Sequence, residues 1–139
     1  MNNAFFATLT HTLGLSSREL AEVGGFSDRF ARDLLAGRRP FPVDVQEAIQ
    51  EIEEDIDVLT DSLVADVEEG EAVIWMFGTN EELRAAFPQM PGRGQSTGGF
   101  IGPFRIAALT AREILNEQGI EVDILFYGDE RKQNDVANL

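Results

Sequence analysis

SRELAEVGGFSDRFARDLLA, residues 17–36, reads as two short helices joined by a tight turn, and its reading decides the fold. Ala21 falls on the first helix where the second must pack closely, so little more than a methyl fits. Gly25, four residues on, sits in the turn, where a positive φ costs glycine almost nothing. Phe26 then plugs the core, and Ser27 caps the next helix by accepting a backbone N–H bond. Ala31 and Leu34 face inward at i and i+3. That leaves Asp28, Arg29, Arg32 and Asp33 on the outer face, where the second helix of a helix-turn-helix meets base edges. A three-helix core without any such role produces part of the same pattern, and the register alone leaves that alternative open.

Charge argues partly the other way. The chain has 11 basic and 25 acidic residues, net −14, whereas a DNA-binding domain usually shows a basic footprint. The charge is unevenly spread. Within residues 1–45, Arg18, Arg29, Arg32, Arg38 and Arg39 balance Glu19, Glu22, Asp28, Asp33 and Asp44, so the whole −14 resides further on. These arginines all lie on or beside the second helix of the pair. A locally positive face on an acidic body is compatible with DNA; the body disfavours non-specific binding and makes affinity fall steeply with salt.

The 139 residues leave room for one or two small domains. The absence of cysteine excludes disulfides and thiolate metal sites and suits a reducing compartment. The opening MNNAFFATLTHTLG has no basic region before its apolar residues, unlike a secretory signal. No apolar run approaches the roughly 18 residues of a membrane span. The expectation is a soluble, cytoplasmic protein with no membrane partner.

Periodicity predicts a first helix from about Asn3 to Leu13, burying Phe5, Leu9 and Leu13, with Phe6 either a second core residue or part of a contact surface. Gly14 ends it. Gly37 closes the helix that Ser27 opens, and Arg38-Arg39-Pro40-Phe41-Pro42 forms a stiff connector into a long helix from about Val43 to Val67. Val45, Ile49, Ile52, Ile56, Leu59 and Leu63 recur along it as a heptad-like seam, among faces rich in Glu and Asp. The seam either packs onto its own domain or pairs in part with a second subunit. After Gly70 the pattern changes: Ala72 to Phe77 reads as a buried strand, and Thr79-Asn80-Glu81-Glu82 as a capping box opening a helix to about Phe87. The Gly- and Pro-rich run from Pro88 to Pro103 reads as loop, and Pro103 starts a helix to about Gln118. Ile120, Val122, Ile124 and Phe126 alternate as a half-buried strand, before a polar, frayed tail.

The predicted architecture is mainly α with a small α/β C-terminal part. Residues 1–68 form a helix-turn-helix domain with its long connecting helix, residues 69–128 a strand-helix-helix-strand dimerisation domain, and 129–139 a disordered tail. Two strands leave open sheet edges, and one recognition helix reads few base pairs; both requirements point to a homodimer.

Residues 13–42, LGLSSRELAEVGGFSDRFARDLLAGRRPFP, resemble the Cro/Xre-type helix-turn-helix of phage and bacterial regulators, including the Gly-Arg-Arg-x-x-Pro exit. Phe26-Ser27-x-Arg29, Gly37-Arg38 and Pro42-x-Asp44-Val45 before a long helix are similar to the phage anti-CRISPR-associated repressors. The resemblance covers roughly residues 5–126, its second half more in order and spacing than in residues. It implies a dimeric autorepressor binding double-stranded DNA at an inverted repeat, with the recognition arginine at Arg29, the phosphate-side cap at Ser27 and the exit arginine at Arg38. The chain departs from the pattern at Leu34-Leu35, where many such proteins have Trp-Glu, and in carrying Asp28 and Asp33 on the reading face.

Arg29 or Arg32 can donate bidentately to guanine, or pair instead with Asp28 or Asp33; Asp33 can also accept from a cytosine amino group. Phe30 either touches a thymine methyl or joins the core. Arg38 and Arg39 suit phosphate contacts. RNA on the same basic face, and a protein partner of an antitoxin or acidic adaptor, are the alternative readings. No catalytic constellation emerges, so no enzyme and no cofactor are expected. His11 is the only histidine and reads as a surface residue. The glycines at 92, 94, 98 and 99 lack the Lys-Ser/Thr of a phosphate-binding loop, and Asp55-x-Asp57 lacks the glycine and later ligands of a calcium loop.

Overall fold

The computed structural model describes residues 2–87 and 99–128. Among them lie α1 (Asn3–Thr12), α2 (Ser17–Gly24), α3 (Asp28–Leu35), α4 (Val43–Glu68), β1 (Val73–Met76), α5 (Asn80–Ala86), α6 (Ile101–Glu117) and β2 (Asp123–Phe126). The protein is mainly helical with a small two-stranded parallel sheet. Of the loop predicted from Pro88 to Pro103, residues 88–98 lie outside the described residues, as does the polar tail 129–139.

Side-chain caps set where the short helices begin. Ser16 and Glu19 form a reciprocal capping box on α2, each side chain accepting from the other's backbone N–H. Thr79 caps α5 by accepting from Glu82 N, while Glu82 reaches back to Gly78 N. Gly25 ends α2 at φ +70°, the left-handed conformation the turn needs. The α2–α3 connection therefore takes only Gly25, Phe26 and Ser27.

The first helix buries a different face from the one periodicity predicts. Phe6 is 1% exposed and Phe5 40%. The buried line runs Phe6, Thr10, Leu13, and Phe6 packs against Phe41 of the connector at 5.8 Å between ring centroids. Thr10 is fully buried because its hydroxyl donates to Phe6 O at 2.7 Å, so no polar group is left unpaired. A polar residue on the core face conceals the stripe from a pattern that counts only apolar positions.

The seam on α4 is buried within the chain itself. Val45, Ile49, Ile52, Ile56, Leu59, Leu63 and Val67 all join one continuous core. Helix α6 covers much of this seam, and the two form the most extensive helix pair in the protein. Ala107, Ala108 and Ala111 are fully buried and let the helix axes approach closely. The seam is thus not free to pair with a second subunit.

Helix α6 begins at Ile101, two residues before Pro103. Pro103 is tolerated in the first turn because its missing N–H would have had no partner inside the helix. The real determinant of the start is Asn80, whose Oδ1 accepts from Ile101 N at 2.7 Å and whose Nδ2 donates to Glu19 Oε2 at 2.8 Å. One amide thus ties the starts of α2 and α6 together. Beside it, α6 meets the α1–α2 turn with backbone against backbone, the Gly102 Cα lying 3.0 Å from where a Cβ on Gly14 would stand. Crossing between β1 and β2, α5 and α6 return the chain to run parallel, with Val73 opposite Asp123 and Met76 opposite Phe126.

Two stability outcomes follow from this packing. A Cβ on Gly102 would overlap the Gly14 carbonyl, so Gly102→Ala should lower the urea-unfolding free energy by about 1–3 kcal/mol. On α4, partial burial and then the nearby Glu51 and Glu54 carboxylates hold the Asp55 carboxyl above its usual range. The native state therefore binds that proton more tightly than the unfolded chain and is penalised once the group ionises. Asp55→Asn should raise the melting temperature at neutral pH, and the advantage should shrink as pH falls through the carboxylate range.

Candidate nucleic-acid interface

Helix α3 stands on Ala31 and Leu34, both fully buried, so its opposite side is held outward. Ser27 caps it, the hydroxyl accepting from Phe30 N at 3.1 Å. Phe26 and Phe30 pack edge to face at 4.8 Å, both half-buried against the core. Phe30 also carries the Arg39 guanidinium 5.6 Å above its ring centroid, an arrangement that orients the arginine without hiding its donors. The connector is fixed from the other side by Asn3, whose Oδ1 accepts from Phe41 N at 2.9 Å and whose Nδ2 donates to Arg39 O at 3.1 Å.

The predicted site residues fall into three groups. Arg29, in the first turn of α3, is exposed and makes no ion pair among the described residues. Asp28 is half-buried: it accepts from Ser17 Oγ at 2.6 Å and lies 3.4 Å from Arg32 Nε one turn on. Asp33, with a side chain only 24% exposed, holds both exit arginines, Arg38 at 3.2 Å and Arg39 at 3.8 Å. Of the two alternatives read from the sequence, the acids therefore pair within the protein. Asp28 takes Arg32, while Asp33 takes the connector arginines rather than Arg29 or Arg32.

Magnitudes decide what this pairing means. Arg32, Arg38 and Arg39 keep 64%, 71% and 61% of their side-chain surface in water. Exposed ion pairs contribute about 0–1 kcal/mol. A contact with an outside anion would replace such a pair at small cost, so the aspartates orient the arginines without blocking them. Sequence patterning misses the Ser17 contact, because its partner lies eleven residues away on another helix. Among the described residues, no three His, Asp or Glu side chains come together as a metal site requires.

Ser27→Ala leaves the Phe30 N–H without its partner. It should cost about 1 kcal/mol in urea unfolding and loosen the first turn of α3, seen as faster amide hydrogen exchange there.

No family model matches the chain, and no curated protein matches it.

Proposed function

We propose that the protein is a dimeric, sequence-specific DNA-binding regulator, with α2 and α3 acting as a helix-turn-helix and α3 entering the major groove. The observation that carries this reading is Arg29. It is an exposed arginine with no ion pair among the described residues, in the first turn of a capped helix, beside exposed Arg32, Arg38 and Arg39. Residues at the start of a recognition helix reach base edges, and cations at its exit reach phosphates. The family resemblance assigns the same role to Arg29 and supports repression of the protein's own operator at an inverted repeat. Dimerisation through the C-terminal part is supported by Leu109 and Phe126, large apolar side chains left 61% and 49% exposed.

A protein-interaction role on the same scaffold is the second reading. It is favoured by the pairing of Arg32, Arg38 and Arg39 with Asp28 and Asp33, which offsets two of the four positive charges on the face at rest. The acidic body would then engage a basic partner.

Fluorescence anisotropy with the protein's own upstream DNA, against a scrambled duplex at two salt concentrations, separates the two. A regulator should prefer the native duplex by about 10³-fold or more. Arg29→Ala should lose about 1–3 kcal/mol of that preference. Arg38→Ala should weaken both duplexes alike and reduce the salt slope by about 1. Equal binding of the native duplex by Arg29→Ala and the parent would place the reading face elsewhere. Absence of salt-sensitive binding would favour the protein-interaction reading.

A further inference from the structure

A cavity of about 1210 Å³ opens between the end of α4, β1 and α5. Its volume slightly exceeds the roughly 300–1,000 Å³ of ordinary small-molecule sites, so an organic molecule of drug size has room. The wall is aromatic. Trp75 and Tyr127 meet edge to face at 5.7 Å, Phe77 lies 5.8 Å from Tyr127, and Phe77 packs on Phe104 at 5.8 Å. Phe77 and Phe104 are buried and rigid, whereas Trp75 is half-buried and Tyr127 63% exposed, so rings remain accessible at the opening.

The charged side chains among the described lining residues of the cavity are of one sign. Its described lining residues include acids and no Lys, Arg or His. Glu69 and Glu71 are exposed there and make no ion pair among the described residues. Helix α4 also ends at this point, after 26 residues, with no basic residue in its last turn. The negative end of its dipole is therefore not offset by its own side chains. Aromatic faces, free carboxylates and a helix C-terminus all favour the same class of ligand, a cation with an apolar body. The described carboxylates disfavour an anion here.

We propose that this cavity binds lipophilic organic cations, such as aromatic or quaternary ammonium compounds. The apolar body sits against Trp75, Phe77 and Tyr127, and the charge sits toward Glu69, Glu71 and the end of α4. The site requires no DNA and stands or falls apart from the proposed regulatory role.

Tetraphenylphosphonium and tetraphenylborate test it, because they share a shape and differ in the sign of their charge. Trp75 is the only tryptophan, so its fluorescence reports directly on the cavity. Titration of the full chain should show saturable quenching by the phosphonium, with affinity at least about ten-fold above that for the borate. Glu69→Gln/Glu71→Gln should bring the two ions within about three-fold, whereas Glu53→Gln/Glu54→Gln, which removes equal charge from an earlier part of α4, should leave the preference intact. Circular dichroism of both variants checks that the fold is retained. Equal binding of both ions, no quenching by either, or an equal loss in the two double variants would each overturn the proposal.

Discussion

The seam of α4 is the constraint on which the rest of the fold depends. A helix this acidic repels itself along its exposed faces; at Asp55, burial first and then the Glu51 and Glu54 carboxylates raise the carboxyl above its usual range. Like charges one turn apart each cost a few tenths of a kcal/mol, and little in the sequence offsets them locally. Burial of the apolar line from Val45 to Val67 supplies what local structure lacks. Most of that burial comes from α6, whose alanines permit the close approach. The α1–α3 unit closes over the beginning of the helix, and β1 meets its later part. The other elements are arranged so that this line never reaches water.

Wherever side-chain spacing alone carries the information, the structure was legible in the sequence. The α4 seam, the Ser27 cap, the left-handed Gly25 and the Thr79 box follow from residues close together in the chain, and they stand where spacing puts them. Long-range determinants were not legible. Asn80 looks like an ordinary early-helix residue, yet its amide joins α2 to α6 across 61 and 21 positions of sequence. Gly102 sits in a run of glycines that reads as loop, but it is helical and glycine there admits another backbone. The first helix misleads for a third reason: Thr10 satisfies its hydroxyl within its own turn and so occupies a core position.

For the candidate interface, residue types were legible and their state was not. The arginines around α3 are evident from composition, but whether each is free or held depends on geometry. Asp33 reaches two connector arginines because the chain turns back after Ala36, and no periodicity announces that. Arg29 stands apart because its neighbours on the helix are already engaged: Asp28 is taken by Ser17 and Arg32. The two aspartates thus offset half of the positive charge of the four arginines, and among the described residues Arg29 is the one of the four with no ion pair, a finer distinction than charge counting reaches.

The unbroken core also bears on how such a chain can change over generations. A protein made of separable modules can trade one reading head for another by recombination. Here Glu19 serves both the start of α2 and, through Asn80, the start of α6, while Gly14 and Gly102 touch through their backbones. Exchanging the first half for that of a distant relative would break the shared carboxylate, the amide and the glycine pair at once. If α3 is the reading helix proposed above, new specificity would be reached by substitution on its outer face, where Arg29 and Arg32 are exposed, and not by exchange of whole segments.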